Sequence, residues 1–504
     1  MKKLLFGLLM VVSFYSNAQP SITWQKCLGG FQYDYVGAIQ QTADGGYILV
    51  GSTSSTNGDI SGNHGGSDIW VVKLNSLGTI SWQKCLGGSV DDSAASIQQT
   101  TDGGYIIVGS TKSNNGDVSG NQGGSDIWVV KLNSLGTIEY KKCLGGSLDD
   151  FGGSIKQTTD GGYILTGTMN ISNNGVFRSL VHVCKLNFNF TIQWSYSKGG
   201  LLGNSYGGSI QETTDGNYIL TGSTESNNGD VSGNHGGYDI WVVKLNNTGI
   251  LWQKCLGGVA NDYGSSIKQT IDGGYILMGS TSSSNGDVSG NHGGSDIWVA
   301  KLTNLGGIEW QKCLGGIQSD TAASIQQSTD GGYILCGDTS SFDGDVSGWH
   351  GADDVWVVKL TNLGVIQWQK CLGGTINDNS KTIQQTTDAG YIIAGNTTSN
   401  NGDASGNQGG SDIWIVKLSS FLGLEETSNN NLVSLFPNPV TNVLNLKLEN
   451  NIEINTYTIS NIEGKIIDQG LLNENNTAIN VEQLSKGVYF IKVNDNNSIK
   501  FIKM

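Results

Sequence analysis

The aspartates of this chain return in three fixed slots. One slot follows Leu-Gly-Gly or its equivalent and holds Asp34, Asp92, Asp150, Asp262, Asp320 and Asp378, with Asn204 in the remaining copy. A second lies in Gly-Asp-x-Ser-Gly and holds Asp59, Asp117, Asp230, Asp287, Asp345 and Asp403. The third stands two residues before a tryptophan, at Asp68, Asp126, Asp239, Asp296, Asp354 and Asp412. Carboxylates and Asn carbonyls in glycine-rich loops are the oxygen ligands that Ca²⁺ takes, roughly six to eight at a time. Asp, Asn and Gly are equally the material of tight turns, where Asp accepts hydrogen bonds from nearby backbone N–H groups. The spacing fits neither the EF-hand loop nor the nine-residue calcium repeat, so Ca²⁺ and plain turn chemistry both stay open.

Other chemistries are narrower. Paired carboxylates serve glycoside hydrolysis, but an active site needs one pair made different from the rest, and these copies are nearly equivalent. His64, His235, His292 and His350 share one slot that Gln122 and Gln408 fill elsewhere. Copies in separate repeats lie too far apart to share a metal, so a turn-lining or ligand-touching role is expected for them. No HExxH or GxSxG occurs, and Arg178 is the only arginine.

The elements that position these residues are copies of one unit. Its tryptophan slot falls at Trp24, Trp82, Tyr140, Trp194, Trp252, Trp310 and Trp368, a spacing of 58 residues broken once by a step of 54. A fixed period of this size marks a solenoid or propeller. In the second copy four short apolar runs, 96–100, 105–111, 127–132 and 137–144, are bounded by Gly, Asp or Asn. Their length and β-branched content predict strands. The middle two are almost continuously apolar, as in a sheet covered on both faces. Four-stranded sheets of that kind, repeated around a centre, are propeller blades. One outer strand, 22–28, precedes the first copy, and none follows the last run at 413–418. The chain is therefore expected to be all-β: a seven-bladed β-propeller closed by its N-terminal strand, a monomer, with a small C-terminal β-sandwich. The third copy breaks the pattern at 173–178, where no Asp stands, and His182 replaces its tryptophan.

Composition agrees. The 504 residues include 75 Gly and 3 Pro, and charged residues make up 14%. That suits a turn-dense β protein. A net charge of −15 disfavours nucleic acid and anionic membrane surfaces as partners. Lys2 and Lys3, the apolar run 4–14 and Ser16-Asn17-Ala18 read as a secretory signal at residues 1–18, with no membrane span after it. Eight cysteines in an exported chain invite disulfides, yet six recur once per repeat at one outer-strand slot. Sheets packed ~10 Å apart hold such positions beyond disulfide reach, so free thiols are expected.

The propeller is assigned to residues 19–420 and a Ser/Asn/Glu linker to 421–431. Residues 432–504 abandon the repeat for short alternating segments. They carry Phe436-Pro437-Asn438-Pro439, then Gly464-Lys465, then Gly487-Val488-Tyr489 within the run 484–493, and end in 500–503 with Lys503. This ordered set resembles the type A C-terminal sorting domain of the type IX secretion system. The resemblance implies passage through the general secretory pathway, recognition by the type IX machinery, crossing of the outer membrane and removal of the domain. The protein would then be secreted or held at the cell surface. The repeats are similar to bacterial propeller repeats of unassigned function, which adds no activity. A binding or display module whose loop face meets a glycan or surface protein is the reading taken forward. A divergent polysaccharide hydrolase and a structural surface-layer component are its rivals.

Overall fold

The computed structural model describes residues 19–173, 175–420, 433–436, 440–448, 455–461, 465–472, 476–493 and 498–503. The signal segment 1–18, the linker 421–431, Pro437, Asn438, Pro439 and Gly464 fall outside them. The chain divides into two compact units, Met1–Phe421 and Leu422–Met504.

The first unit is a propeller of seven four-stranded antiparallel blades. Blade 1 runs outward from the axis as Asp34–Gln41, Tyr47–Thr53, Asp68–Leu74 and Ile80–Leu86. The second and third strands are buried almost without exception. Each Ile, Leu or Val taken wholly from water contributes ~1.5–3 kcal/mol, so these two strands hold the blade stack together. Residues of adjacent blades share single cores, as Val50 and Ile69 do with Ile107 and Trp128. The inner strand of blade 2 starts at Asp92, four residues before the apolar run at 96–100. Small polar residues hide its pairing, which shifts register between Ala94 and Ser96.

Blade 7 takes its outer strand from the N-terminus. Ile22–Leu28 pairs antiparallel with Asp412–Leu418, setting Cys27 opposite Trp414 and Leu28 opposite Ile413. Side chains close the same seam, since Gln41 Oε1 accepts from the Thr387 backbone N at 2.9 Å. The two ends of the ring thus meet within one blade, which gains four strands like the other six.

The repeated motifs explain one another. On the lower face, the Lys of each third strand reaches the Asp of the turn between the first two strands. Lys73 Nζ lies 2.8 Å from Asp44 Oδ2, and the same pair recurs in every blade down to Lys417 and Asp388. Burial opposes the charge on Asp44, but the Lys73 ammonium, the Thr42 hydroxyl and the Gly46 N–H hold its pKa down at about 2. Gly78, at φ 74°, must be glycine because a Cβ there would stand 2.9 Å from the ring of Trp24 on the preceding blade's outer strand. The third-strand tryptophans are fully buried, and Trp70 donates Nε1–H to Gln83 Oε1 at 2.9 Å. Trp128 lacks this partner because Lys141 occupies the glutamine slot. All eight cysteines are free thiols.

Blade 3 departs from the expected loop. Tyr163–Asn173 and Val176–Leu186 form a hairpin of two eleven-residue strands, longer than the seven-residue second and third strands of blade 2. Arg178 Nη1 donates to the Leu201 carbonyl at 2.7 Å and so ties the hairpin to the first loop of blade 4.

In the second unit a three-stranded sheet (Val433–Phe436, Val443–Leu448, Asn476–Asn480) and a four-stranded sheet share one apolar core. Leu444, Leu446 and Ile479 of the first meet Ile459, Ile491 and Phe501 of the second. Phe436 is exposed, whereas Tyr489 and Lys503 are buried; Tyr489 donates to the Ser485 carbonyl at 3.0 Å. Gly487 opens the strand Gly487–Val493. Among the described residues no helix is long and apolar enough to cross a membrane.

Candidate functional site: the loop face and its mouth

All three aspartate slots lie toward the upper rim, where the long loops gather, but two are sunk beneath it. Asp34, Asp92, Asp150, Asp262, Asp320 and Asp378 are 0% exposed, as are Asp68, Asp126, Asp239, Asp296, Asp354 and Asp412. An acidic surface built from all three slots is therefore corrected. Only Asp59, Asp117, Asp230, Asp287, Asp345 and Asp403 reach solvent, each half-buried.

The buried carboxylates organise the loops. Asp92 Oδ2 accepts from Gly88 N at 2.8 Å and Ser113 Oγ at 2.9 Å, while Oδ1 takes the Thr111 hydroxyl. Asp68 Oδ2 accepts from His64 N at 2.9 Å and meets His64 Nδ1 at 2.6 Å. His235, His292 and His350 hold their own aspartates in the same way, so these histidines line turns. Asp117 pins the neighbouring loop from above, with its N–H donating to the Gly87 carbonyl at 2.8 Å. A Cβ on Gly29 would meet Asp412 Oδ1 at 2.5 Å and Asp34 Oδ2 at 2.7 Å, which is why glycine stands there.

One oxygen at each of these seams has no partner: Oδ1 of Asp68, Asp126, Asp239, Asp296, Asp354 and Asp412. Burial, reinforced by the neighbouring carboxylates, lifts Asp412 to about 6 despite its bond from Gln408 N. Burial lifts Asp354 to about 6 as well, against the pull of His350. Among the described residues no three His, Cys, Asp or Glu side chains converge to hold a metal ion.

Blade 4 corrects one assignment. Ser205, not Asn204, fills the buried slot that Asp34 fills elsewhere: it is 0% exposed, pairs with Thr224, and shares a 2.8 Å hydroxyl contact with it. One extra residue in the preceding loop moves Asn204 out of register, and it accepts instead from Ser179 N at 2.9 Å.

The feature that sequence reasoning missed is aromatic. The residue after each buried Asp, or after Ser205 in blade 4, lies in the first two positions of the inner strand, next to the residues that line the central channel and so at its mouth. In ring order it is Tyr35, Ser93, Phe151, Tyr206, Tyr263, Thr321 and Asn379. Tyr35 is 51% exposed, Phe151 46%, Tyr206 40% and Tyr263 43%. Tyr33 stacks on Tyr35, with centroids 6.1 Å apart and rings 5° from parallel. Tyr238 bridges the seam between blades 4 and 5, 6.0 Å from Tyr206 and 5.3 Å from Tyr263. It stands where other copies carry Ser67, Ser125 or Ser295. Such rings offer an apolar face with a polar tip in reach of water, the combination enriched where proteins bind partners. The signal was available: this is a slot where otherwise near-identical copies differ.

Several known structures share features of this fold. The WD40 domain of Pan2 from Neurospora crassa is 10% identical, with a TM-score of 0.44 over 75% of this chain and 88% of that one. BBS1N, solved in complex with ARL6DN, is 12% identical, with a TM-score of 0.43 over 81% and 98%. A PL25 ulvan lyase is 11% identical, with a TM-score of 0.48 over 78% and 97%. No curated protein matches the chain. At its other end the chain is recognisable from sequence: residues 434–504 are a secretion system C-terminal sorting domain, so this is a propeller exported by type IX secretion to the cell surface or beyond it.

Proposed function

We propose that the propeller is a binding module whose channel mouth receives a saccharide. The observation that carries this is the set of exposed rings at one slot, Tyr35, Phe151, Tyr206 and Tyr263, on four of seven blades. A sugar ring has an apolar C–H face that stacks on an aromatic and a polar edge that seeks hydrogen bonds. Carboxylates such as Asp59 and Asp230, and the loop amides around them, supply those bonds at the rim. Hydrogen bonds within the seams hold the mouth in shape before a ligand arrives, which limits the ordering cost of binding. Export by way of the sorting domain supports a reading in which the module meets polysaccharide outside the cell.

A glycan array probed with the full chain, and with Tyr35→Ala and Tyr263→Ala, tests the proposal. Binding that both variants weaken by about tenfold or more supports it, consistent with an aromatic contact near the centre of an interface. Absence of any glycan ligand, or binding indifferent to both substitutions, overturns it. Turnover of a bound polysaccharide would move the assignment to a hydrolase.

A further inference from the structure

Below the mouth runs a channel of ≈ 640 Å³ lined by the inner strands of all seven blades. One slot along these strands forms a ring at a shared register, each member paired with the second residue of the neighbouring strand: Gln40 with Ile48, Lys156 with Ile164, Lys268 with Ile276. Five blades carry glutamine there and blades 3 and 5 carry lysine. A third cation, Lys381, stands in the slot that holds Gly37, Ala95, Gly153, Gly208, Ser265 and Ala323 elsewhere. In a chain of net charge −15, three ammonium groups thus line one small channel.

These charges are uncompensated. The buried lysine on the third strand of each blade, such as Lys73, by contrast reaches a carboxylate. Among the described residues none lies in ion-pair range of Lys156, Lys268 or Lys381. The single carboxylate lining the channel, Asp338, is turned to the seam, where it accepts from Ser380 Oγ at 2.8 Å as well as from Ser380 N. Burial, and then the nearness of Lys156, lower the Lys268 pKa to about 7, and burial lowers that of Lys156. Gln40 and Gln384 give Oε1 to the next blade's backbone N at 2.7 Å, which leaves their NH₂ donors free in the channel. Cations and unused amide donors, with the one lining carboxylate engaged at the seam, are the complement of an oxyanion.

We propose that the central channel is an oxyanion site in which Lys156, Lys268 and Lys381 hold a carboxylate or sulfate group of the saccharide received at the mouth. The assignment rests on the saccharide reading above and narrows it to acidic glycans.

The test is titration calorimetry of the full chain, at constant ionic strength, with sodium sulfate, sodium glucuronate and glucose. The variants are Lys156→Gln with Lys268→Gln, which installs the residue five other blades carry, and Lys381→Ala. The parent should bind sulfate or glucuronate, and the double variant should bind it about tenfold or more weakly, the scale of a lost charged hydrogen bond. The arm that titrates shows whether sulfate or carboxylate is the natural group. The double variant's unliganded melting temperature should equal or exceed the parent's, which shows that it folds. Failure of either anion to bind the parent overturns the inference, as does equal binding by parent and variant. If a neutral glycan binds the mouth and only Tyr35→Ala weakens it, the inference fails while the saccharide reading stands. If the anions bind and no glycan does, the oxyanion site stands while its link to a saccharide, and the saccharide reading itself, fail.

Discussion

Replacing Asp412 by Asn should make this protein more stable at neutral pH. The carboxyl is wholly buried at the seam between blades 7 and 1, where Oδ2 accepts from Gln408 N at 2.9 Å and Oδ1 has no partner. Burial, with Asp34 and Asp59 nearby, raises its pKa from 3.8 to about 6. The folded state therefore holds this proton more tightly than the unfolded chain. Its favourable contribution is complete below pH 3.8 and is lost as pH rises through about 6. Two pH units at ~1.36 kcal/mol each place the cost of the ionised form near ~3 kcal/mol at pH 7, an upper value because seams relax. Asn keeps the acceptor for Gln408 N and carries no charge. With an unfolding entropy of ~2.1 cal/mol/K per residue over a propeller of ~400 residues, ~3 kcal/mol raises the melting temperature by about 4 °C. The lower-face carboxylates do not confuse the reading. Asp44 and Asp102 are held down at about 2, so their pairing survives until well below pH 4. Differential scanning fluorimetry from pH 4 to 8 should show the variant above the parent at pH 7 and level with it at pH 4, with the parent itself gaining as pH falls from 7 to 5. A variant less stable at pH 7, together with a parent stabilised by added Ca²⁺, would refute this account and install a cation at the orphaned oxygen.

Two more predictions concern the frame. Deleting residues 19–28 removes the outer strand of blade 7 and bares the edge of Asp412–Leu418. The truncated chain should associate on size-exclusion chromatography and melt lower, and a monomer with unchanged melting would contradict the closure. The eight thiols should resist a thiol reagent in the folded protein, since burial pushes each up to about 12, and all eight should react in denaturant. Mass spectrometry finding a bridge between any two would overturn the blade register.

The blades and their closure were legible because periodicity constrains them many times over. A strand order repeated seven times, with one outer strand missing at the end and present at the start, leaves little freedom. The fate of the aspartates was less legible because residue type is silent about burial. Asp68 and Asp117 sit in equally glycine-rich phrases, yet the first is sealed under a histidine and the second faces water. Asn204 was misplaced because a one-residue insertion is invisible until Ser205 is seen pairing with Thr224. The hairpin of blade 3 was hidden for a similar reason: 173–178 lacks aspartate, but nothing in its composition announces that two strands continue through it. The mouth is not legible in what the copies share. Tyr35, Phe151, Tyr206, Tyr238 and Tyr263 occupy slots where they differ, and Lys156, Lys268 and Lys381 do the same in the channel. In a ring of near-equivalent blades, identity builds the frame and departure from it builds the site.

The central claim is that a saccharide enters at the upper mouth. Hydrogen–deuterium exchange of the full chain, with and without a glucuronate-containing oligosaccharide, tests it most directly. The account predicts slowed exchange at 33–36, 150–153, 204–208 and 262–265, with the lower turns such as 42–46 unchanged. Protection confined to those lower turns, or to 434–504, would contradict it.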